Sequence, residues 1–101
     1  MSTAGSSQPS FDFRDEPSFE ASKASLGLSE SEIDEHMWAI ENMLLDGPAE
    51  WSAPLPSDPG LRVAVSDSTP HSPHALRLVI RIDGTIIERL HVERRGFTPI
   101  P

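Results

Sequence analysis

The stretch Ala75-Leu-Arg-Leu-Val-Ile-Arg-Ile-Asp-Gly-Thr-Ile-Ile-Glu-Arg-Leu-His-Val92 decides the fold of this chain. Two runs rich in branched apolar residues flank the dipeptide Asp83-Gly84. Branched residues favour strands, and glycine adopts the positive φ that a tight turn between two strands requires. The stretch therefore predicts a β-hairpin that turns at Asp83-Gly84.

The length of the turn sets the register of this hairpin. A two-residue turn would pair Ile82 with Thr85. We favour a three-residue turn over 82–84, because a slip of one residue would move every side chain to the opposite face of the sheet. This register pairs Ile80 with Ile86 and Leu76 with Leu90. It predicts a core face made of Leu76, Leu78, Ile80, Ile86 and Leu90, with Glu88 as its odd polar member.

The opposite face of the predicted hairpin is rich in cations. The favoured register places Arg77 directly across from Arg89, with Arg81 and His91 near the two ends. Like charges that face each other across two strands destabilise a sheet. We therefore expect an anionic group, from the chain or from a ligand, to lie close to this face.

Two helices are predicted before the hairpin. The segment Ser29-Glu-Ser-Glu32 is a capping box and starts the clearer helix, which Gly47-Pro48 ends. Trp38 lies beside the buried stripe of this helix and is expected in the core or against a partner. Residues 17–26 form the other predicted helix, with Pro17 in its first turn. The buried stripe of the clearer helix consists of Ile33, Met37, Ile40 and Leu44.

The remaining segments complete an α+β prediction. Residues 11–13 alternate as in a short edge strand, and residues 61–65 alternate as in a sheet strand. Residues 49–60 contain several prolines and are expected to form an extended connection that Trp51 and Leu55 pin to the core. The predicted domain covers residues 11–97, with a disordered tail at 1–10 and a short tail at 98–101. Its two N-terminal helices should pack on a three- or four-stranded antiparallel sheet.

Charge is distributed unevenly along the 101 residues. The net charge is −8, and residues 1–50 contain eleven acidic and two basic side chains, against five and six in residues 51–101. This balance argues against general binding to nucleic acid. There is no cysteine, and no apolar run reaches the length of a membrane span. A cytoplasmic protein without a membrane partner is the expectation.

Three segments resemble the RelE/ParE superfamily of bacterial toxin–antitoxin modules. They are Gly60-Leu-Arg-Val-Ala-Val65, Leu76-Arg-Leu-Val-Ile-Arg-Ile-Asp83 and Leu90-His-Val-Glu-Arg-Arg95, which follow two helices and a proline-rich connection. The resemblance implies a toxin component, or a weakened or non-catalytic relative of one. A cognate antitoxin would be its partner, RNA on the ribosome or gyrase its target, and no cofactor would be needed.

The resemblance also implies roles for individual side chains. His91 would transfer a proton during RNA cleavage, since imidazole titrates near neutral pH. The chain has no tyrosine and a single lysine, Lys23, whereas ribosome-dependent members of the family often use both residue types. Any ribonuclease activity should therefore be weak. Arg89 joins the candidates from its place on the hairpin. The expected phosphate-binding residues are Arg62, Arg77, Arg81, Arg89, Arg94 and Arg95.

Two further interpretations remain open. The acidic helices could bind a basic partner, which would make the chain a non-enzymatic immunity-type or interaction protein whose arginines are structural. His71 and His74 lie near Asp67, but two imidazoles beside prolines with no third strong ligand are more typical of an ordinary polar loop than of a metal site. No metal site is therefore predicted.

Overall fold

The computed structural model describes residues 11–67 and 74–94. The elements in chain order are β1 (Asp12–Asp15), α1 (Pro17–Ala24), α2 (Glu30–Asp46), β2 (Ala53–Leu55), β3 (Asp58–Ser66), β4 (Leu76–Asp83) and β5 (Ile86–Arg94). The strands form one sheet in the order β1-β5-β4-β3-β2. The α+β prediction is confirmed. Within the described ranges, neither helix is both long and apolar enough to cross a membrane. The predicted tails at 1–10 and 98–101 lie outside these ranges.

The sheet is larger than predicted, and it is mixed. The short strand expected near residues 11–13 is present as β1 at one edge, where it pairs with β5 in parallel orientation. The other pairs are antiparallel. The proline-rich segment 49–60, expected to be only a connection, supplies β2 and the start of β3. A wholly antiparallel sheet of three or four strands was therefore wrong, because residue patterns identify a strand without identifying its partner.

The hairpin forms at the predicted place with a different register. Its two-residue loop is Gly84-Thr85, so that Asp83 pairs with Ile86 and Ile82 with Ile87. Gly84 has a φ of 61°. A positive φ at the first loop position is what the tight turns of two-residue hairpins require. The predicted pairs of Ile80 with Ile86 and of Leu76 with Leu90 are both wrong.

A bulge at Leu90 explains which side chains of β5 are buried. Ile80 pairs with Arg89 and Val79 pairs with His91, which leaves Leu90 without a partner on β4. An extra residue in one strand reverses the alternation of faces beyond it. The buried apolar residues of β5 are accordingly Ile87, which has an odd residue number and precedes the bulge, and Val92, which has an even residue number and follows it.

This change of alternation corrects the predicted core face of the hairpin. Leu76, Leu78 and Ile80 are buried as expected. Ile86 and Leu90 are only half-buried. Glu88 is buried, but it lies on the open face of the sheet, opposite the helices, because it pairs with Arg81.

Helix α2 begins as its capping box predicts. The Ser29 hydroxyl accepts a hydrogen bond from the Glu32 backbone N–H at 3.2 Å, and the Glu32 carboxylate accepts one from the Ser29 N–H at 3.4 Å. These bonds satisfy two of the N–H groups that a helix start leaves unpaired. The predicted stripe of α2 is buried against the sheet. The core combines Phe19, Leu26, Ile33, Met37, Ile40, Leu44, Ala64, Leu76, Leu78, Ile80, Ile87 and Val92.

Serines of α1 cover the edge of β5 where β1 ends. The Ser18 hydroxyl donates to the Leu90 carbonyl at 2.6 Å, and the Val92 N–H donates to the Ser22 hydroxyl at 2.9 Å. An unpaired strand edge invites the addition of a further strand. Helix α1 therefore satisfies part of the edge that the short β1 leaves open.

We predict that Ile40→Ala destabilises the fold by about 2–5 kcal/mol, since Ile40 is fully buried and its truncation leaves a cavity. Urea denaturation measures this loss. Trp38→Ala on the same helix is the control, because Trp38 is 69% exposed and should change the free energy of unfolding little. Equal effects of the two substitutions would mean that the face of α2 bearing Ile40 is not packed.

Candidate functional site

The predicted phosphate-binding arginines do not share one face of the sheet. Arg77 and Arg81 project from the open face of β4, and His91 lies on the same face because it pairs with Val79. The partners of the other arginines show that they lie on the face covered by the helices. Arg62 and Arg89 both pair with Ile80, and Arg94 pairs with Leu76. Arg95 lies outside the described residues. Arg77 faces Glu93, so the predicted pair of Arg77 with Arg89 was wrong.

Arg89 of β5 is enclosed by side chains from three other elements. Its guanidinium donates to the Asp15 carboxylate at the end of β1 and to the Glu41 carboxylate of α2. The rings of Phe13 and Phe19 lie 4.9 and 5.2 Å from the guanidinium carbon. Only 14% of the side chain is exposed. Arg89 therefore joins β1, α1 and α2 to β5, and its donors face carboxylates of the chain itself.

The surroundings of Arg89 fix its charge. Burial disfavours the charged guanidinium, but hydrogen bonds and charge attraction from Asp15 and Glu41 outweigh burial and raise the pKa of Arg89. Aromatic faces next to the guanidinium add cation–π attraction. The guanidinium is therefore held as a cation by groups of the chain itself, and its phosphate-binding role stays a prediction.

Arg62 and Arg94 are also bound to the chain. Arg62 donates from Nε to the Ser52 hydroxyl at 2.7 Å and from Nη2 to the carbonyls of Ser52 and Ala49. These bonds hold the segment that returns from α2 to the sheet. Arg94 donates from Nε to the Leu26 carbonyl at 3.1 Å, just after α1. The phosphate-binding role of both arginines remains a prediction, and the geometry shows a structural role for each.

Carboxylates on the open face lie beside the cations there. Glu88, which is 3% exposed, lies between Arg14 of β1 and Arg81 of β4, with 2.6 Å between Arg81 Nε and Glu88 Oε1. Glu93 lies 3.1 Å from His91 Nε2 and 3.8 Å from Arg77. The anionic groups expected beside this face are therefore supplied by the chain. The proton-transfer role of His91 stays a prediction.

Sequence reasoning missed a buried polar pair between α2 and β3. His36 Nδ1 lies 2.6 Å from the Ser66 hydroxyl, and both side chains are buried. A hydroxyl beside an imidazole also occurs in nucleophilic active sites, but Ser66 is only 4% exposed and cannot meet a substrate. His36 follows Ile33 by three residues, and this spacing on a buried stripe could have identified it.

The environment of His36 favours the neutral imidazole. Burial lowers the pKa of His36 from its ordinary value of 6.5, and His74 acts in the same direction. The charges of Glu35 and Glu32 oppose this shift without cancelling it. A charged imidazole in this position would destabilise the packing of α2 on the sheet.

A second apolar stripe of α2 faces solvent. Trp38 is 69% exposed and Leu45, two turns further along the helix, is 47% exposed. Trp51 follows α2, is 48% exposed, and donates from Nε1 to the Asp46 carboxylate at 3.2 Å. The expectation that Trp51 pins its segment to the core was therefore wrong. We call Trp38, Leu45 and Trp51 the tryptophan surface.

Negative charge surrounds the tryptophan surface. Helix α2 contains six acidic residues and neither lysine nor arginine. Exposed large apolar side chains rimmed by charge are typical of a protein-binding site. The exposed acidic residues of α2 and the turn after it are Glu30, Asp34, Asp46 and Glu50.

We predict that Arg89→Met destabilises the fold by about 3 kcal/mol, because it leaves the Asp15 and Glu41 carboxylates without their cation. This value lies at the low end for a broken buried pair, since the two carboxylates are 29% and 33% exposed. Chemical denaturation measures the effect. Arg77→Ala is the control, because its exposed ion pair should contribute less than about 1 kcal/mol. A loss no larger than that of the control would show that Arg89 does not hold the elements together.

We predict that stability falls as the pH is lowered through the range in which His36 titrates. The pKa of His36 is lower in the folded chain than in the unfolded chain, so its contribution is fully present above 6.5 and declines as the unfolded state takes up a proton. The free energy of unfolding should fall by at most about 1.4 kcal/mol per pH unit for this single proton. Denaturation between about pH 7.5 and pH 5.5 should show a shallower slope in His36→Gln. An unchanged slope would contradict the assignment of this pH dependence to His36.

Comparison with known proteins does not indicate which residues of this chain are functional. No protein-family model matches the chain, and no curated protein or solved structure is detectably similar to it. The resemblance to RelE/ParE toxins therefore stays a prediction that rests on three short segments. The side chains that contact other parts of the chain and those that remain exposed are therefore the observations that bear on function.

Proposed function

We propose that this protein is a non-enzymatic interaction protein that binds a basic protein partner on the tryptophan surface of α2. The observation that carries the proposal is the exposure of Trp38, Leu45 and Trp51 on or beside a helix that has six acidic residues and neither lysine nor arginine. Tryptophan contributes strongly to binding when a partner covers it. Without a partner, the side chains of Trp38, Leu45 and Trp51 leave apolar surface in contact with water, which is unfavourable.

The charge of the surface selects the class of partner. Negative side chains repel the phosphates of nucleic acid, whose attraction to cations dominates most nucleic-acid binding. The same charges attract a basic protein and increase the rate at which it associates. This supports the immunity-type or interaction interpretation of the acidic helices.

The contacts that the arginines make within the chain support the same proposal. Arg89, Arg62 and Arg94 contact carboxylates or carbonyls of the chain on the helix-covered face. Stabilisation of a phosphate in a transition state requires cations that converge on one position. The toxin interpretation, with Arg77, Arg81 and His91 as its remaining group on the open face, stays a second prediction.

We predict that a photoreactive benzoylphenylalanine at Asn42, between Trp38 and Leu45 on the exposed side of α2, captures a basic protein in cells that naturally produce this chain. The captured protein, once purified, should bind the wild-type chain directly. Trp38→Ala should weaken this binding by about 2 kcal/mol or more, as expected for a covered tryptophan. Added salt should weaken it further.

The control places the same photoreactive residue at Val65, which is 38% exposed on the open face of the sheet and should capture nothing specific. Equal affinities of the wild-type and Trp38→Ala chains for the purified protein would contradict the proposal. Growth arrest on induced expression, lost in Arg77→Ala/Arg81→Ala but retained in Trp38→Ala, would favour the toxin interpretation instead.

A further inference from the structure

We infer that the partner presents a cationic amphipathic helix, which lies along α2 with its apolar side chains on the tryptophan surface and its basic side chains beside the start of α2. This inference rests on the proposed function and adds the conformation and orientation of the partner segment. It follows from three features of α2: its backbone, the length of its exposed surface, and the separation of its charge from its apolar residues.

The backbone of α2 determines the conformation of the partner. The N–H and C=O groups within a helix already bond to each other, so the surface of α2 offers no ladder for an added strand. An extended segment that covered Trp38 would bury its own peptide groups without partners, which is costly. A helical segment satisfies its own backbone and can cover apolar surface without this cost.

The spacing of the exposed residues matches the face of a second helix. Trp38 and Leu45 are seven residues apart, which is about 10 Å along the axis of α2. Apolar residues with this spacing form a stripe that a neighbouring helix contacts with its own i, i+3, i+4 and i+7 side chains. The distance from Glu30 to Leu45 is about 22 Å, so a helix of about 15 residues would cover the surface.

Most of the negative charge of α2 precedes its exposed apolar residues, although exposed Asp46 follows them. Four of its six acidic residues lie within residues 30–35, whereas the exposed apolar residues begin at Trp38. Glu30 and Asp34 in this acidic part are exposed. A complementary helix therefore carries lysine or arginine at one end and large apolar side chains at the other. This order fixes which end of the partner lies over the start of α2.

The test uses a synthetic peptide of 18 residues with lysines on its first two turns and a leucine stripe on its last three. The chain has only two tryptophans, both in the tryptophan surface, so that tryptophan fluorescence reports binding there. The peptide should bind and gain helicity. A matched peptide with two prolines at solvent-facing positions should bind at least tenfold more weakly, since proline prevents the helix.

Orientation and position are tested with the same peptide. A nitroxide at the leucine end should quench tryptophan fluorescence more strongly than a nitroxide at the lysine end. Trp38→Ala should weaken binding at least tenfold, whereas Val65→Ala, an apolar truncation away from α2, should leave it unchanged. Asp34→Asn should weaken binding at low salt and have less effect at high salt.

The results of the peptide and capture experiments distinguish failure of the inference from failure of the proposed function. Equal binding of the proline peptide, or equal quenching from both ends, would overturn the inferred helix or its orientation. The proposed function would survive if the protein captured at Asn42 still required Trp38. If neither peptide binds but a protein whose binding requires Trp38 is captured at Asn42, the inference is overturned and the proposed function is not. Absence of both peptide binding and a Trp38-dependent captured protein would overturn the inference and the proposed function together.

Discussion

The enclosure of one guanidinium, that of Arg89, is the constraint on which the arrangement of this fold depends. Removing an arginine from water is costly unless its donors meet acceptors. Here the acceptors come from Asp15 and Glu41, which are distant in sequence, and two phenylalanine rings supply the walls. The charge can be buried only when β1, α1 and α2 occupy their observed places around the Arg89 side chain. A cation thus selects one arrangement of elements that apolar packing alone would specify less strictly.

The bulge at Leu90 makes this enclosure compatible with the rest of the core. Arg89 shares the helix-covered face with Ile87 by ordinary alternation, and the extra residue returns Val92 to that face further along β5. Without the extra residue, an unbroken alternation that buried Ile87 and Arg89 would send Val92 to the open face. The bulge therefore reconciles a buried cation with a continuous apolar core along the same strand.

Helix α2 and the place of the hairpin could be predicted from the sequence because local chemistry determines both. A capping box, a repeat of apolar residues and an Asp-Gly turn act through neighbouring residues. The bulge and the parallel pairing of β1 depend on partners that are remote in sequence, and residue patterns do not identify those partners. The surroundings of the arginines could not be predicted for the same reason: the pattern of an alternating strand does not show whether an arginine side chain meets a ligand or a carboxylate of the chain itself. Trp38 was predicted in the core or against a partner, and its exposure excludes the core.

The pairing of β1 with β5 joins the first and last described elements of the chain. Contacts between segments so far apart must await the closure of a long loop, which slows folding and leaves the early elements incomplete until late. During synthesis, the rings of Phe13 and Phe19 cannot pack against the Arg89 guanidinium until β5 has emerged. The nascent N-terminal half is then both strongly acidic and partly apolar. Its mutual charge repulsion would keep unfinished chains apart during the interval before the sheet closes.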